Sequence, residues 1–376
     1  MSLGRIVPRI VVIESDDWGF CAWVADPAAH RALADTPAFR SPAGQVYGRS
    51  TLERAADISR LVSVLRSVRG GDGVPPVLQA NTVMAAPDFG RIVAPYEMEA
   101  LPLVAHPDTP SRWRRDGLWE QVRKAQVAGI WWPELHGLHH VPENAWLEAL
   151  RRGDTDAGKA LLWQTTVCEA VETSGEYAPS EPEPTRARNL EHAVELFRGR
   201  FGRAPLSLCP PDYRWDEKLE ADAERLGITI LQGKAEQARP MLKIRRRLAV
   251  PRLPRVHGKR FYTPPRIAFE PRGKVGGPLG VDSVVAQVHA AWEKGKPAAI
   301  STHRVNYAHL DEEWCARGRV ELAELLKRLA DDRAVFVTDM ELRDLTVRGF
   351  SVRPVPGGAP IERRLTASGM VELARS

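Results

Sequence analysis

The sequence predicts an α/β chain whose parallel strands close into a (β/α) barrel. Three observations carry that expectation. Short β-branched runs alternate with helical patterns of ten or more residues along the chain, the signature of βα units and a parallel sheet. The glycine fingerprint that opens a dinucleotide-binding sheet is missing after the first strand, which favours a barrel over an open doubly wound sheet. A chain of 376 residues with 43% hydrophobic and 27% charged residues can bury a large core, and it lacks the composition of a disordered or fibrous protein.

Taken in order, the first strand is Arg9 to Glu14, an Ile/Val run that ends in acids. Leu52 to Val68 follows with helical periodicity, then a strand at Val77 to Met84. Weaker strand signals lie at Leu101 to Ala105 and around Ile130 to Trp132. Helices are expected at Leu118 to Ala128, Asn144 to Arg152, Gly158 to Glu172 and Asn189 to Arg200. Strands at Leu206 to Leu208 and Ile228 to Leu231 bracket a helix at Asp216 to Leu226. The last units are a helix at Ser283 to Glu293, a strand at Ala298 to Thr302, a helix at Val320 to Ala330 and a strand at Val335 to Thr338.

Two stretches break the rhythm, about 25–50 and about 233–280, and both are expected as insertions over one face of a single catalytic domain spanning 1–348. Residues 349–376, rich in Pro and Gly at first, are expected as a loosely attached C-terminal extension. The four cysteines, Cys21, Cys168, Cys209 and Cys315, include no CxxC pair and are expected to be reduced and buried. No apolar run is long enough to span a membrane, and the N-terminal residues do not form a signal peptide, so a cytoplasmic location is expected.

The chemistry concentrates at strand ends. Glu14-Ser15-Asp16-Asp17-Trp18-Gly19 delivers two adjacent carboxylates to the C-terminal edge of the first strand, where sites assemble in βα folds. One helix cap needs only one carboxylate; a pair lets one residue hold a cation while its neighbour acts as base. Glu134-Leu135-His136-Gly137-Leu138-His139-His140 places His136 and His140 four apart in a short turn bracketed by Pro133 and Pro142, with His139 expected to point away from the pair, either solvated or stacked as a ring at the rim. Asp17, His136 and His140 make a one-carboxylate, two-histidine set suited to a single catalytic divalent metal. Zinc is the first expectation, with Co, Mn, Ni and Fe open on ligand type alone. A lone histidine, His303, ends the late strand and stands as a separate acid if it shares that rim.

These elements, in this order, resemble the polysaccharide deacetylase superfamily, the NodB-like carbohydrate esterases. Ser15-Asp16-Asp17-Trp18-Gly19 is similar to its first motif, His136 through His140 to its second, Leu208-Cys209-Pro210-Pro211-Asp212-Tyr213 to its third, and Ile300 to His303 to its last. The resemblance spans about residues 9 to 305. It implies a distorted, incompletely closed (β/α) barrel of the glycoside hydrolase and deacetylase type. It also implies removal of N- or O-acyl groups from a carbohydrate, with Asp16 as general base, Asp17, His136 and His140 as metal ligands and His303 as general acid. Cys209 stands where the family usually carries an Arg that steadies the base, and the acid that pairs with that Arg has no counterpart near Ile230 to Gly233. Whatever tunes Asp16 must therefore come from elsewhere, and the chain looks like a divergent branch.

For the substrate, Trp18, Trp131 and Trp132 adjoin the proposed base and ligands and are candidates to stack on a sugar ring. Asn81, Asp212 and Tyr213 are candidates to orient its hydroxyls. Residues 234–274 hold thirteen Lys or Arg against two Glu, a net +11, while the remainder has 40 basic against 46 acidic residues. Arg245, Arg246 and Arg247 in that loop are candidates for an anion such as the phosphate of a sugar phosphate. No nucleic-acid motif accompanies them. The partner expected is thus a carbohydrate or sugar-phosphate substrate, with oligomerisation left open. Two other classes stay in play: a glycoside hydrolase on a related barrel, with two carboxylates at the glycosidic bond, and a catalytically degenerate carbohydrate- or nucleotide-sugar-binding protein.

Overall fold

The computed structural model describes residues 9–171, 175–178, 181–233, 236–238, 247–249, 255–257, 260–273, 275–366 and 370–373. Nine parallel strands among these form the barrel sheet. They are β1 (Ile10–Trp18), β2 (Leu78–Thr82), β3 (Trp131–Leu135), β4 (Ser207–Leu208), β5 (Ile230–Leu231), β6 (Arg260–Tyr262), β7 (Arg266–Ala268), β8 (Ala298–His303) and β9 (Val335–Val337). Their spatial order is β6-β5-β4-β3-β2-β1-β8-β7, with β9 pairing the first half of β1. An additional antiparallel strand, Arg255–His257, borders β6.

The barrel is incompletely closed. The chain leaves β6 and enters β7 after only three residues, yet no ladder joins them. Instead the Thr263 amide donates to Leu231 O (3.0 Å), and the Arg266 amide makes one long bond to Gly233 O (3.4 Å). Pro264 and Pro265 have no amide hydrogen to continue the pairing. The seam therefore lies beside Arg266. The sequence expectation placed all of 233–280 outside the barrel, whereas two of its strands are staves, because Ile267 and Phe269 alternate with Arg266, Ala268 and Glu270 in the period of a strand.

The same alternation organises the interior. Val11 and Ile13 of β1 face the helical layer, with Leu78, Trp131 and Ile300, while Ile10 and Val12 join Val77, Trp132, Ile230, Phe261, Val335 and Val337 in an apolar floor. Above that floor the inward positions turn polar: Glu14, Gln79, Glu134 and Ser207 first, then Asp16, Asn81 and His136, all buried. A polar column thus stands on a dry base. Such groups are tolerated only when paired, and the column is densely hydrogen-bonded.

Most expected helices form, some with different bounds. The region expected as one helix at Gly158 to Glu172 is helical only over Thr155–Leu162, and 165–171 runs irregularly under the site. The Asn189 to Arg200 pattern belongs to a longer helix, Glu183–Phe201. The insertion at 25–50 carries three short helices, Pro27–Leu33, Pro37–Arg40 and Pro42–Tyr47, each with proline in its first turn. Leu103–Ala105 pairs with Ala85–Pro87 as a separate hairpin. All four cysteines are free and buried.

The C-terminal segment is held more firmly than its Pro and Gly content suggested. Phe350–Arg353, Ile361–Leu365 and Val371–Leu373 form an antiparallel sheet. Arg353 and Arg363, both fully buried, pair with Glu341, and Arg363 also pairs with Asp72 at 2.8 Å. No helix among the described residues is long and apolar enough to cross a membrane.

Candidate active site

The C-terminal ends of β1, β3, β4 and β8 open into a cavity of about 610 Å³ lined by Asp16, Asp17, His136, His140, Cys209 and His303 among others. Two consecutive strand residues normally face opposite ways. Here the register between β1 and β2 shifts after Ser15, and Asp17 takes φ 72°, so both carboxylates reach the same cavity. Asp17 and His140 (φ 58°) both occupy the left-handed region, a conformation that non-glycine residues hold only where the surroundings impose it.

His136 follows β3 directly, its amide donating to Thr82 O at 2.9 Å. Pro133 is a strand residue rather than a turn bracket. The segment beyond is pinned by Glu176, a fully buried carboxylate that accepts from the amides of Leu138 (2.7 Å), His139 (2.9 Å) and His140 (2.8 Å). Gly137 is required for that approach: at φ +89° a Cβ would lie 2.4 Å from Glu176 Oε1. His139, expected to be solvated or stacked at the rim, is buried instead against Glu143, Glu176 and Asn189.

Asp17 Oδ1 stands 3.3 Å from His136 Nε2 and 3.9 Å from His140 Nε2. One ligand atom from each of the three residues lies within 4.8 Å of the others. His136 Nδ1 is bonded to the Cys209 carbonyl at 2.7 Å, which makes Nδ1 a donor and leaves Nε2 as the ring nitrogen that faces Asp17 and that a cation would take. One carboxylate and two such imidazoles fit a divalent cation, with coordination positions left for other ligands. A second set, Asp16, His136 and Cys209, satisfies the same spacing. It is the poorer donor set: burial pushes the Cys209 thiol up, away from the thiolate a metal needs, and Arg266 already occupies Asp16.

Arg266 supplies the partner for Asp16 that the third motif lacks. Its Nη1 donates to Asp16 Oδ2 at 2.6 Å and its Nη2 to Oδ1 at 2.8 Å, while Nε donates to Glu14. Asn81 adds a bond to Asp16 Oδ1 at 2.6 Å. Burial opposes ionisation of Asp16, but Arg266 foremost, then His136 and His303, outweigh it and hold the carboxyl far below the usual range. Across the cavity His303 Nε2 lies 3.7 Å from Asp16 Oδ2, and its Nδ1 is bonded at 2.5 Å to Glu270, which Asn306 fixes at 2.7 Å. Burial alone would depress His303, yet the Glu270 carboxylate, helped by Asp16 and Asp17, carries it up to about 9.

Arg266 and Glu270 are the functional candidates the sequence reading missed. Both were counted in the basic loop as anonymous charge, although the alternation Arg266-Ile267-Ala268-Phe269-Glu270 was available as a strand signal. That loop is also less free than its +11 suggests, since Arg260 pairs with Glu220 and Glu224 and Arg272 with Glu321. Arg245 and Arg246 lie outside the described residues, and Arg247 is described in its backbone alone.

The tryptophan candidates do not line the cavity. Trp18 and Trp131 pack edge to face in the helical core (4.6 Å), and Trp18 donates to Ser15 Oγ at 2.9 Å. Trp132 faces the apolar floor beneath Arg203. Asn81 is fully buried behind Asp16, bonded to it and to Gln232, rather than turned to the cavity. Asp212 and Tyr213 do line it, with Arg214 paired to Asp212 and the Tyr213 hydroxyl accepting from Arg266 at 3.0 Å. The aromatic wall is built instead by Phe20, which packs on His140, and by Trp23 stacked on Tyr47.

No protein-family model matches the chain, and no curated protein matches it. Among solved structures, it is similar to a Mycobacterium smegmatis protein provisionally assigned as a polysaccharide deacetylase (14% identity, 93% of each chain, TM-score 0.41). It is also similar to a 4-alpha-glucanotransferase from Thermococcus litoralis (9% identity, 97% of this chain and 42% of that one, TM-score 0.45). A GH57-type branching enzyme from Pyrococcus horikoshii matches at 9% identity over 90% of this chain and 70% of its own, TM-score 0.44. These values are too low to transfer an activity.

Proposed function

We propose that this chain is a metal-dependent hydrolase that removes an acyl group, acetyl in the first instance, from the amine or hydroxyl of a carbohydrate. The observation that carries the proposal is the convergence of Asp17, His136 and His140 at ligand spacing, with Asp16 and His303 flanking them on one cavity. Asp17, His136 and His140 would hold the cation, zinc being the first expectation. Bound there, a divalent cation supplies Lewis acidity that polarises a carbonyl and acidifies water.

The chain's own groups complete the chemistry. Asp16, kept ionised by Arg266, accepts a proton at Oδ2, the oxygen that lies 3.7 Å from His303 Nε2. His303, kept protonated by Glu270, donates from Nε2 to the departing amine or alkoxide. Trp23 and Tyr47 offer an aromatic face for a pyranose ring, and Asp212 lines the same cavity for its hydroxyls.

The test is acetate release from acetylated amino sugars by protein stripped of metal and then reloaded with Zn²⁺. Restored release supports the reading. Reducing-end release without acetate points to a glycoside hydrolase, and tight sugar binding without turnover under any divalent metal points to a binding protein.

A further inference from the structure

Beneath the cavity, β1 and the helix that follows β9 bring Glu14 and Asp339 together, and both side chains are 0% exposed. Arg266 Nε donates to Glu14 Oε2, and Asp339 Oδ2 accepts from Gln79 Nε2 (2.6 Å) and Ser207 Oγ (2.8 Å). The other oxygen of each acid, Glu14 Oε1 and Asp339 Oδ1, is buried with no N–H or O–H partner among the described residues. The two carboxyl groups nevertheless lie within hydrogen-bonding contact of each other. Two anions cannot do that; one acid and one anion can.

We infer that Glu14 and Asp339 share a single proton, and that a neutral Glu14 positions Arg266 for Asp16. The inference rests on the hydrolase reading only for the consequence to Asp16, not for the proton itself.

The charge inventory leads the same way. The charged groups facing Glu14 are Arg266 above it, Asp339 beside it and Asp16 two residues on along its own strand. Asp339 additionally faces Glu134, which is engaged by Arg203 at 3.1 Å. One guanidinium therefore pairs with two carboxyl groups, Glu14 and Asp16, while a third, Asp339, lies beside Glu14. A buried charge without a partner is costly, whereas a protonated carboxyl bonded to a carboxylate satisfies both. Burial pushes the Glu14 carboxyl well above its ordinary range, more than Arg266 pulls it down, and Asp339 pushes it further. With Glu14 neutral, the full charge of Arg266 is directed through its two Nη groups to Asp16. With Glu14 ionised, two anions would divide that charge, and the grip on Asp16 would loosen.

Infrared spectra of the intact chain in D₂O at neutral pH test the proton directly. A carbonyl-stretch band of a protonated carboxyl is expected, and Glu14→Gln should abolish it. Its absence in the unaltered chain overturns the inference without needing any variant. The consequence for Asp16 is read from kcat against KM at neutral pH. Asp339→Asn removes the proton acceptor and offers an N–H that favours an ionised Glu14, which draws Arg266 off Asp16, so kcat should fall about tenfold with KM little changed. Adding Glu14→Gln to that variant restores a neutral partner and should return kcat towards the parent value. A merely structural role would show loss without rescue, and that result overturns the positioning claim. A protonated-carboxyl band in a chain that releases no acetate leaves the shared proton standing and rejects the hydrolase reading alone.

Discussion

Arg266 grips Asp16 with both Nη groups, at 2.6 Å and 2.8 Å, reaching past the intervening strand β8 from the stave beside the unclosed seam. The pair joins the end of β1 to the start of β7, two strands 250 residues apart in sequence. It places a permanently charged group on a carboxylate that would otherwise be driven neutral by burial.

Replacing that fork has a predictable cost. Arg266→Lys keeps one charge and loses the two-pronged geometry, so the Asp16 pKa should rise towards the ordinary carboxylate range, and kcat should fall about tenfold at neutral pH, where Asp16 stays ionised but is no longer held in place. Linkage adds a stability signature. The folded pKa of Asp16 is depressed, so the stabilisation is present above its unfolded value of about 4 and is lost as pH falls from there towards the folded value. Urea unfolding should show a falling midpoint below pH 4 in the parent protein and a shallower fall in Arg266→Lys.

The acid partner titrates in the opposite sense. His303 is raised to about 9, so it is protonated through the neutral range, and the alkaline limb of activity should lie near that value. The stabilisation from its contact with Glu270 is complete below the unfolded histidine value of about 6.5 and is lost as pH rises through about 9. Glu270→Gln should bring the alkaline limb down by about 1–2 units in a pH–rate profile. An unmoved limb would remove His303 from the acid role.

Glu176 contributes through the backbone of the histidine segment. Glu176→Ala strands three amides beneath His140 and should cost about 2–4 kcal/mol in chemical denaturation. Because His140 sits on that segment, zinc affinity measured by competition with a chromophoric chelator should drop as well, by about 10-fold or more.

Aromatic substitutions should separate pocket from core. Tyr47→Ala removes part of the cavity wall and should raise KM for a sugar substrate about tenfold with the fold intact. Trp131→Ala should lower stability by about 3–5 kcal/mol while leaving KM unchanged in the surviving folded fraction.

The contrast between these residues explains what the sequence disclosed. Asp16, Asp17 and His303 lie at the ends of strands visible as β-branched runs, and strand ends converge at one rim, so their proximity was legible before any coordinate; His136 follows a strand with only a weak signal, Trp131–Leu135, and was legible by its spacing from His140 alone. Trp18, Trp131 and Trp132 misled because proximity along a strand was taken for proximity in space. Neighbouring residues on a strand face opposite sides, and Trp131 and Trp132 lie in two different cores. Arg266 and Glu270 escaped because their strand lies within a charge-rich, proline-broken segment, where a count of lysines and arginines hid a period of two. The meeting of Glu14 on β1 with Asp339 on the helix after β9 depends on how distant strands stagger in the sheet, which no local pattern encodes.

Metal content measured on the purified chain and its ligand variants addresses the central claim most directly. After loading with Zn²⁺ and exhaustive dialysis, elemental analysis should find about one zinc per chain in the parent and in Cys209→Ser, and about a tenth of that or less in Asp17→Asn, His136→Ala and His140→Ala. Retention of a full equivalent by all three ligand variants, or its loss in Cys209→Ser alone, would contradict the account.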